Sequence, residues 1–304
     1  MSAPLNPDLA SADAAIPPEV RAAWPRTARL RLPRTRPTEL FSILFLLALV
    51  LAAALVEFIP GLERPNFPYG DFSQPPEWSL NGLLGTDALG RSILSRVLYG
   101  ARTSLGIVAV ATAIALSLGL LLGMLAGYHR GWVERAVDLY SNAMASLPPI
   151  LVILALIAVV GNSVLTMMLA LGILDIGTYA RIAKGGVIAQ NDRDYVLAAR
   201  AMGAGDGRIL LREILPNLVP ALTAIVPPLM AGLIITEGSL SFLGYGIPAP
   251  APSWGGMIAG STDLLNRFPL LILGPVLAIV LTVYALNTAG DALARRLNSR
   301  ERDG

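Results

Sequence analysis

Six apolar stretches, each about as long as a bilayer is thick, leave this chain few folds to choose from. A hydrocarbon core about 30 Å thick is crossed by roughly 20 residues of α-helix. Stretches of about that length occur at 40–58, 103–128, 139–160, 164–180, 214–236 and 268–290. No charged residue occurs between 139 and 174, too long a run for one tilted helix, and Gly161, Asn162 and Ser163 mark a reversal within it. Lipid offers backbone groups no partner, so each segment must satisfy its own as helix. The expectation is an all-α, polytopic membrane protein with six transmembrane helices. Composition agrees: 54% hydrophobic and 14% charged residues with a mean hydropathy of +0.62 lie well outside soluble-domain averages.

Charge placement sets the expected orientation. With the N terminus in the cytoplasm, six basic residues fall in the N-terminal arm, two after the second span, six after the fourth and four at the C terminus. Only Arg64, Arg91, Arg96, Arg102 and Arg267 fall outside, the bias that places both termini in the cytoplasm. The basic excess, 23 against 21, is too small to imply nucleic acid as a partner. The organisation read from this is a cytoplasmic arm at 1–39, disordered over its Pro- and Ala-rich residues 1–25, and a first helix at 40–58, too long and too basic at its start for a removable signal. An external loop follows at 59–102. A five-helix core spans 103–290, with a cytoplasmic loop at 181–217, and a cytoplasmic tail occupies 291–304. Within the external loop, Leu89, Ile93, Leu94, Val97 and Leu98 share one face of a helix over 87–102. That stripe predicts an amphipathic helix on the membrane surface, with a solvated connector as the alternative. The Gly- and Pro-rich loop at 237–267, with Trp254 near its centre, reads as ordered but irregular.

The polar run at 194–216 cannot lie in lipid and must project into water. Asp192 is placed to cap a short helix reaching Met202, and Gly203 to end it. Asp206 then starts a second helix to Leu215, with Pro216 at the entry to the fifth span. Ala198, Ala199, Ala201, Gly203, Ala204 and Gly205 give the corner little bulk, suited to a partner's close approach or to packing on the bundle itself. Polar residues within the spans are few: Glu57, Asp175, Glu237, Asn287 and Asp291. Glu57, Glu237 and Asp291 fall near hydrated interfaces, whereas Asp175 lies deeper and is expected to pair with Arg181 or to reach toward water. Pro227 and Pro228, with Pro220, should bend the fifth span, for a gate or for packing. Asp175, Pro227, Pro228 and Glu237 are the candidate pathway or gate residues.

The run LAARAMGAGDGRILLREILP resembles the EAA loop of ABC-transporter permeases, with Ala198, Ala199, Gly203, Leu215 and Pro216 at matching positions. Leu197 stands where that pattern has glutamate, and Glu213 where it has isoleucine. LLGTDALGRSILSRVLYGARTSL at 83–105, TYARIAKG at 178–185 and EGSLSFLGYGIPAPAPSWGGMI at 237–258 resemble the C-type permease subunit of dipeptide, oligopeptide and nickel importers. The resemblance implies the fold of a type I importer permease in the bacterial inner membrane. It implies a subunit of an ATP-driven importer, working with a second homologous permease, two cytoplasmic ATPases that hold the ATP and Mg, and an extracytoplasmic solute-binding protein. Leu197, Ala198, Ala199, Gly203, Ala204, Asp206, Leu215 and Pro216 become the ATPase-coupling loop. Dipeptides or oligopeptides are the expected cargo, with nickel as the rival.

No catalytic or metal-binding set is legible, and the chain is read as a transport subunit that binds no cofactor of its own. There is no cysteine, and the single histidine, His129, sits at a span edge. The only lysine, Lys184, lies between Ala183 and Gly185, not in a phosphate-binding Gly-Lys-Ser/Thr sequence. An ion-coupled secondary transporter is the alternative of another class, and it would rest on Asp175.

Overall fold

The computed structural model of the chain describes residues 36–262, 265 and 269–303. The expectations for residues 1–35, and for Arg267 and Phe268, lie outside the described residues. Among those residues the chain forms helices and loops, with one isolated bridge between Thr86 and Ser92. Five helices are long and apolar enough to cross a membrane, or six segments if one bent pair is a single span.

Helix α1, Pro37–Leu55, runs into a 3₁₀ turn at Val56–Phe58. Glu39 in its first turn is buried and accepts from Arg295 Nη2 at 2.9 Å, tying the start of the described chain to its last helix. Helix α2, Ile93–His129, begins where the Ser92 side chain accepts from the Ser95 amide. The separate interfacial helix expected over 87–102 is therefore not formed. Residues 93–102 are the first turns of α2, and 87–92 make a tight loop around Asp87, whose Oδ1 accepts from the Leu89 and Arg91 amides at 2.8 and 3.0 Å. Arg96 needs no water-facing surface, because its Nη1 donates to the Pro65 carbonyl at 2.9 Å and its Nε lies 3.5 Å from Asp87. Ile93 and Val97 pack on Met257 and Leu271 instead of on lipid headgroups.

The expected third span at 139–160 is also revised. It is broken into α3, Gly131–Ser146, and α4, Pro149–Val160, bent by 93°. A residue preceding proline is pushed out of the helical region, and here Leu147 and Pro148 both precede one, with ψ of 136° and 120°. Helix α5, Val164–Asn191, starts on the Ser163 side chain and runs 11 residues past the expected end at 180, so the polar loop is shorter than 181–217. Arg181 and Lys184 do not break it. Lys184 Nζ lies 2.8 Å from both Glu134 and Asp138 of α3, and Arg181 Nη1 donates to the Ser141 carbonyl at 3.1 Å.

Helix α6 spans Asp194–Ala201. Helix α7, Asp206–Phe242, has one α-helical turn, a π segment at Ile209–Ile214 and a long α-helix from Leu215. Pro216 has no N–H for the Arg212 carbonyl and would crowd it, and the wider π turn just before it relieves that clash. The helix continues unbroken through Pro220, Pro227 and Pro228. The Ala224 carbonyl, deprived of a donor by Pro228, faces Gly290, where an added Cβ would sit 2.9 Å from it and 2.5 Å from the proline ring. The loop beyond holds a short helix α8, Trp254–Ala259, started by Ser253, so it is more regular than its composition implies. Trp254 is fully buried and donates to the Val97 carbonyl at 3.0 Å. Helix α9, Leu270–Asp303, carries the expected tail at 291–304 as helix through Asp303.

The most extensive contact in the bundle is between α2 and α5. Gly119, Gly123 and Gly127 fall one turn apart, and a Cβ at Gly123 would stand 2.3 Å from the Ala180 carbonyl oxygen. Lipid is as apolar as leucine, so helices gain by packing backbones together across small residues. Alanine normally stabilises a helix by roughly 0.5–1 kcal/mol over glycine. Gly106→Ala, where a Cβ meets nothing within 4 Å, should follow that rule. Gly123→Ala should reverse it, destabilising by about 1–3 kcal/mol through overpacking. Thermal unfolding of the two variants in detergent checks the opposite signs.

Candidate functional site

Two polar features stand out from the apolar bundle: the loop between α5 and α7, and a cavity among α3, α4, α5 and α7. The loop has an underside and an outer face. Val196 and Ala199 of α6 and Ile209, Leu210 and Ile214 of α7 are buried against Met124 of α2 and Val187 of α5. The outer face carries Leu197, Met202 and Leu211, which are 47%, 82% and 63% exposed, beside Gly203, Gly205 and Gly207.

Gly203 ends α6 as expected, with φ of +80°. Its amide donates to the Arg200 carbonyl at 2.9 Å, and that of Ala204 donates to the Ala199 carbonyl at 3.0 Å. This pair of bonds satisfies the last carbonyls of the helix and requires a left-handed residue between them. Asp192 does not cap α6; Arg193 precedes the helix, and Asp192 closes α5. Asp206 begins α7 and accepts from Tyr128 Oη at 2.8 Å, while the Arg200 guanidinium lies 5.2 Å from the Tyr128 ring centre. One tyrosine at the end of α2 thus holds both arms of the corner. On the other flank Tyr195 Oη donates to Gln190 at 2.9 Å and accepts from Asn217 at 3.3 Å, and burial pushes its phenol above the ordinary value. Of the expected loop residues, Leu197, Ala198, Gly203, Asp206 and Pro216 are exposed; Ala204 and Leu215 are half-buried; Ala199 is on the underside.

The cavity measures about 350 Å³. One wall is a single face of α5, with Leu171, Leu174, Asp175, Thr178 and Arg181; another is α7 from Pro228 to Thr236; the third is the α3–α4 elbow, including Ser141 and Pro149. Asp175 is 11 residues into α5, about 17 Å along it at 1.5 Å per residue, so the cavity lies part-way along that helix, and it is open on the side where Leu147, Arg181 and Gly232 are exposed. Ser141 is 1% exposed, and its Oγ has no hydrogen-bond partner among the described residues. Gly177 lets α3 come this close, since a Cβ there would be 3.0 Å from Ser141 Cα.

Of the four candidate pathway residues, Asp175 and Pro228 meet in this cavity, whereas Pro227 and Glu237 are not part of its wall. Glu237 is not at a hydrated interface: it is fully buried, with one carboxylate oxygen accepting from Ser241 Oγ at 2.7 Å. The cause is that α7 runs on past Glu237 to Phe242, so the residue sits inside the helix and not at its end. Glu57 does face outward, in an ion pair with Arg102. The expected Asp175–Arg181 ion pair is not made; Arg181 turns to the Ser141 carbonyl. Thr178, Ser141 and Thr236 were not legible as site residues. Thr178 and Arg181 do follow Asp175 at helical spacing, a signal for one shared face.

A family model described as "Binding-protein-dependent transport system inner membrane component" matches residues 119–303. The chain is 34% identical over 285 residues, 93% of each chain, to the glutathione transport system permease protein GsiD of Shigella dysenteriae serotype 1. It has the same identity and coverage with that protein in Escherichia coli O157:H7. Its fold is similar to a chain in a solved structure of inward-facing MetNI methionine ABC transporter, with a TM-score of 0.56 at 19% identity, covering 67% of this chain and 97% of that one.

Removing the Tyr128 hydroxyl tests what holds the corner. Tyr128→Phe keeps the ring under Arg200 but loses the bond to Asp206, a loss of about 1 kcal/mol. Amide hydrogen exchange over residues 194–208 should speed up by about fivefold. Unchanged exchange would mean that the buried underside alone fixes the loop.

Proposed function

The chain belongs to the family of binding-protein-dependent transport system inner membrane components, and on that premise we propose that it carries short peptides through the membrane together with a second, homologous permease. It is a multi-pass inner-membrane permease subunit of an ABC importer, not an enzyme. In this reading the loop between α5 and α7 faces the cytoplasm, as do both termini, and receives one of two separate ATPases that bind ATP and Mg. An extracytoplasmic binding protein delivers cargo to the opposite side. Peptide cargo is favoured because the relatives named above are glutathione permeases, and glutathione is a tripeptide.

The observation that carries the coupling role is the two-faced build of the loop. Its underside is part of the packed core, so displacement of α6 moves α2, α5 and α7 with it. Its outer face offers exposed Met202 and Leu197 next to a glycine corner where nothing lies within 4 Å of a built Cβ. ATPase closure would push on that face, and the rigid helices would carry the push to the cavity as a shift between two packings. Leu197 in place of the usual glutamate leaves this contact apolar.

Reconstituted with its partner permease, ATPases and binding protein, the subunit should take up trialanine and glutathione only when ATP is supplied inside the vesicles. Uptake without ATP would overturn the reading. Gly203→Trp should insert normally but fail to co-purify with the ATPases, whereas Gly203→Asn, which tolerates positive φ, should retain them. Retention by the tryptophan variant would place the ATPase contact elsewhere.

A further inference from the structure

The cavity holds two opposite charges that are within electrostatic reach of each other but make no close ion pair. Arg181 uses one of its five donors on the Ser141 carbonyl, and no ion pair joins it to Asp175. Both line the cavity from α5, six residues apart, which is a rise of about 9 Å. An ionisable group such as Asp175, half-buried within a membrane-spanning helix, is costly and marks a site where something polar passes or binds. Beside them Ser141 Oγ, almost completely buried, has no hydrogen-bond partner among the described residues. The remaining polar wall is supplied by Thr178 and Thr236.

We propose that this cavity is a recognition subsite for zwitterionic cargo, in which Arg181 receives a carboxylate and Asp175 a primary ammonium group, with Ser141 Oγ bonding to the peptide between them. The inference rests on the peptide reading given above. A peptide extends by about 3.5 Å per residue, so a di- or tripeptide, about 7–10 Å long, is comparable to the roughly 9 Å rise between the two residues. A volume of about 350 Å³ is in the range of small-molecule sites. A zwitterion also adds no net charge to a place already electrically balanced. A carboxylate and an ammonium entering together satisfy both charges, half-buried Asp175 and exposed Arg181, whereas a singly charged solute leaves one of them without a counter-charge.

The test compares probes within each variant of the complete transporter. Trialanine, N-acetyl-trialanine and trialanine amide are supplied at concentrations that saturate the same binding protein, and uptake rates are taken as ratios. Any defect in assembly cancels in the ratio. Asp175→Asn should reduce the trialanine to N-acetyl-trialanine ratio by about tenfold or more, the loss of one charge-assisted hydrogen bond, while Asp175→Glu keeps it near that of the unaltered complex. Arg181→Gln should act in the same way on the trialanine to trialanine amide ratio and leave the acetyl ratio unchanged. Equal loss for both probes of a pair, partial or total, would show a structural role and overturn the subsite while the importer reading stands. Failure of the unaltered complex to take up any of the three would overturn the peptide reading itself, and this inference with it.

Discussion

The backbone contact between α2 and α5 holds the rest of the structure in place. Three glycines of α2, one turn apart, let it lie against the Tyr179–Ala180 and Ala183–Val187 turns of α5 at distances no side chain would permit. In lipid, where apolar side chains gain nothing by leaving their surroundings, such contact replaces the hydrophobic effect as the source of specificity. From this pair the other features are hung. Lys184 on α5 grips α3, Met124 and Val187 together floor the polar loop, and the free face of α5 becomes a wall of the cavity.

The same geometry links the loop to the cavity. Arg181 and Val187 are on one helix, less than two turns apart, the first in the cavity wall and the second beneath α6. A rigid helix cannot bend between such near positions without breaking its own ladder, so a push at the loop is felt at Arg181 as displacement or rotation. The π segment at Ile209–Ile214 and the elbow at Pro148 and Pro149 are the two places where regular helix geometry is interrupted beside these sites. They are where the bundle has room to move.

Much of the fold was legible because lipid imposes simple rules. The helical state of the apolar stretches, the reversal at Gly161–Ser163 and the glycine stop at 203 follow from local chemistry and hold in three dimensions, whereas the span ends do not. The misreadings share a cause. Residues 87–102 carry an amphipathic pattern that is the same whether the apolar side meets lipid or Met257 and Leu271, and sequence spacing cannot say which. Glu237 looked hydrated because it ends an apolar run, but the run does not end the helix. The elbow was missed although its two prolines were in plain view, because an uncharged stretch of the right length reads as one span until the bend is seen.

The sequence by itself determined that this chain is a helical membrane protein, with one polar corner shaped by small residues. Those properties depend on the cost of placing charges and bare backbone in lipid, which each segment meets alone. The tertiary structure decided which side of each helix does what: that Asp175 and Arg181 of α5 share a cavity with Ser141 and Pro228 of other helices, and that Glu237 and Trp254 are sealed inside. Facing depends on helix rotation and on the bend at Pro148, set jointly by contacts between residues tens of positions apart, and no local stretch contains that information.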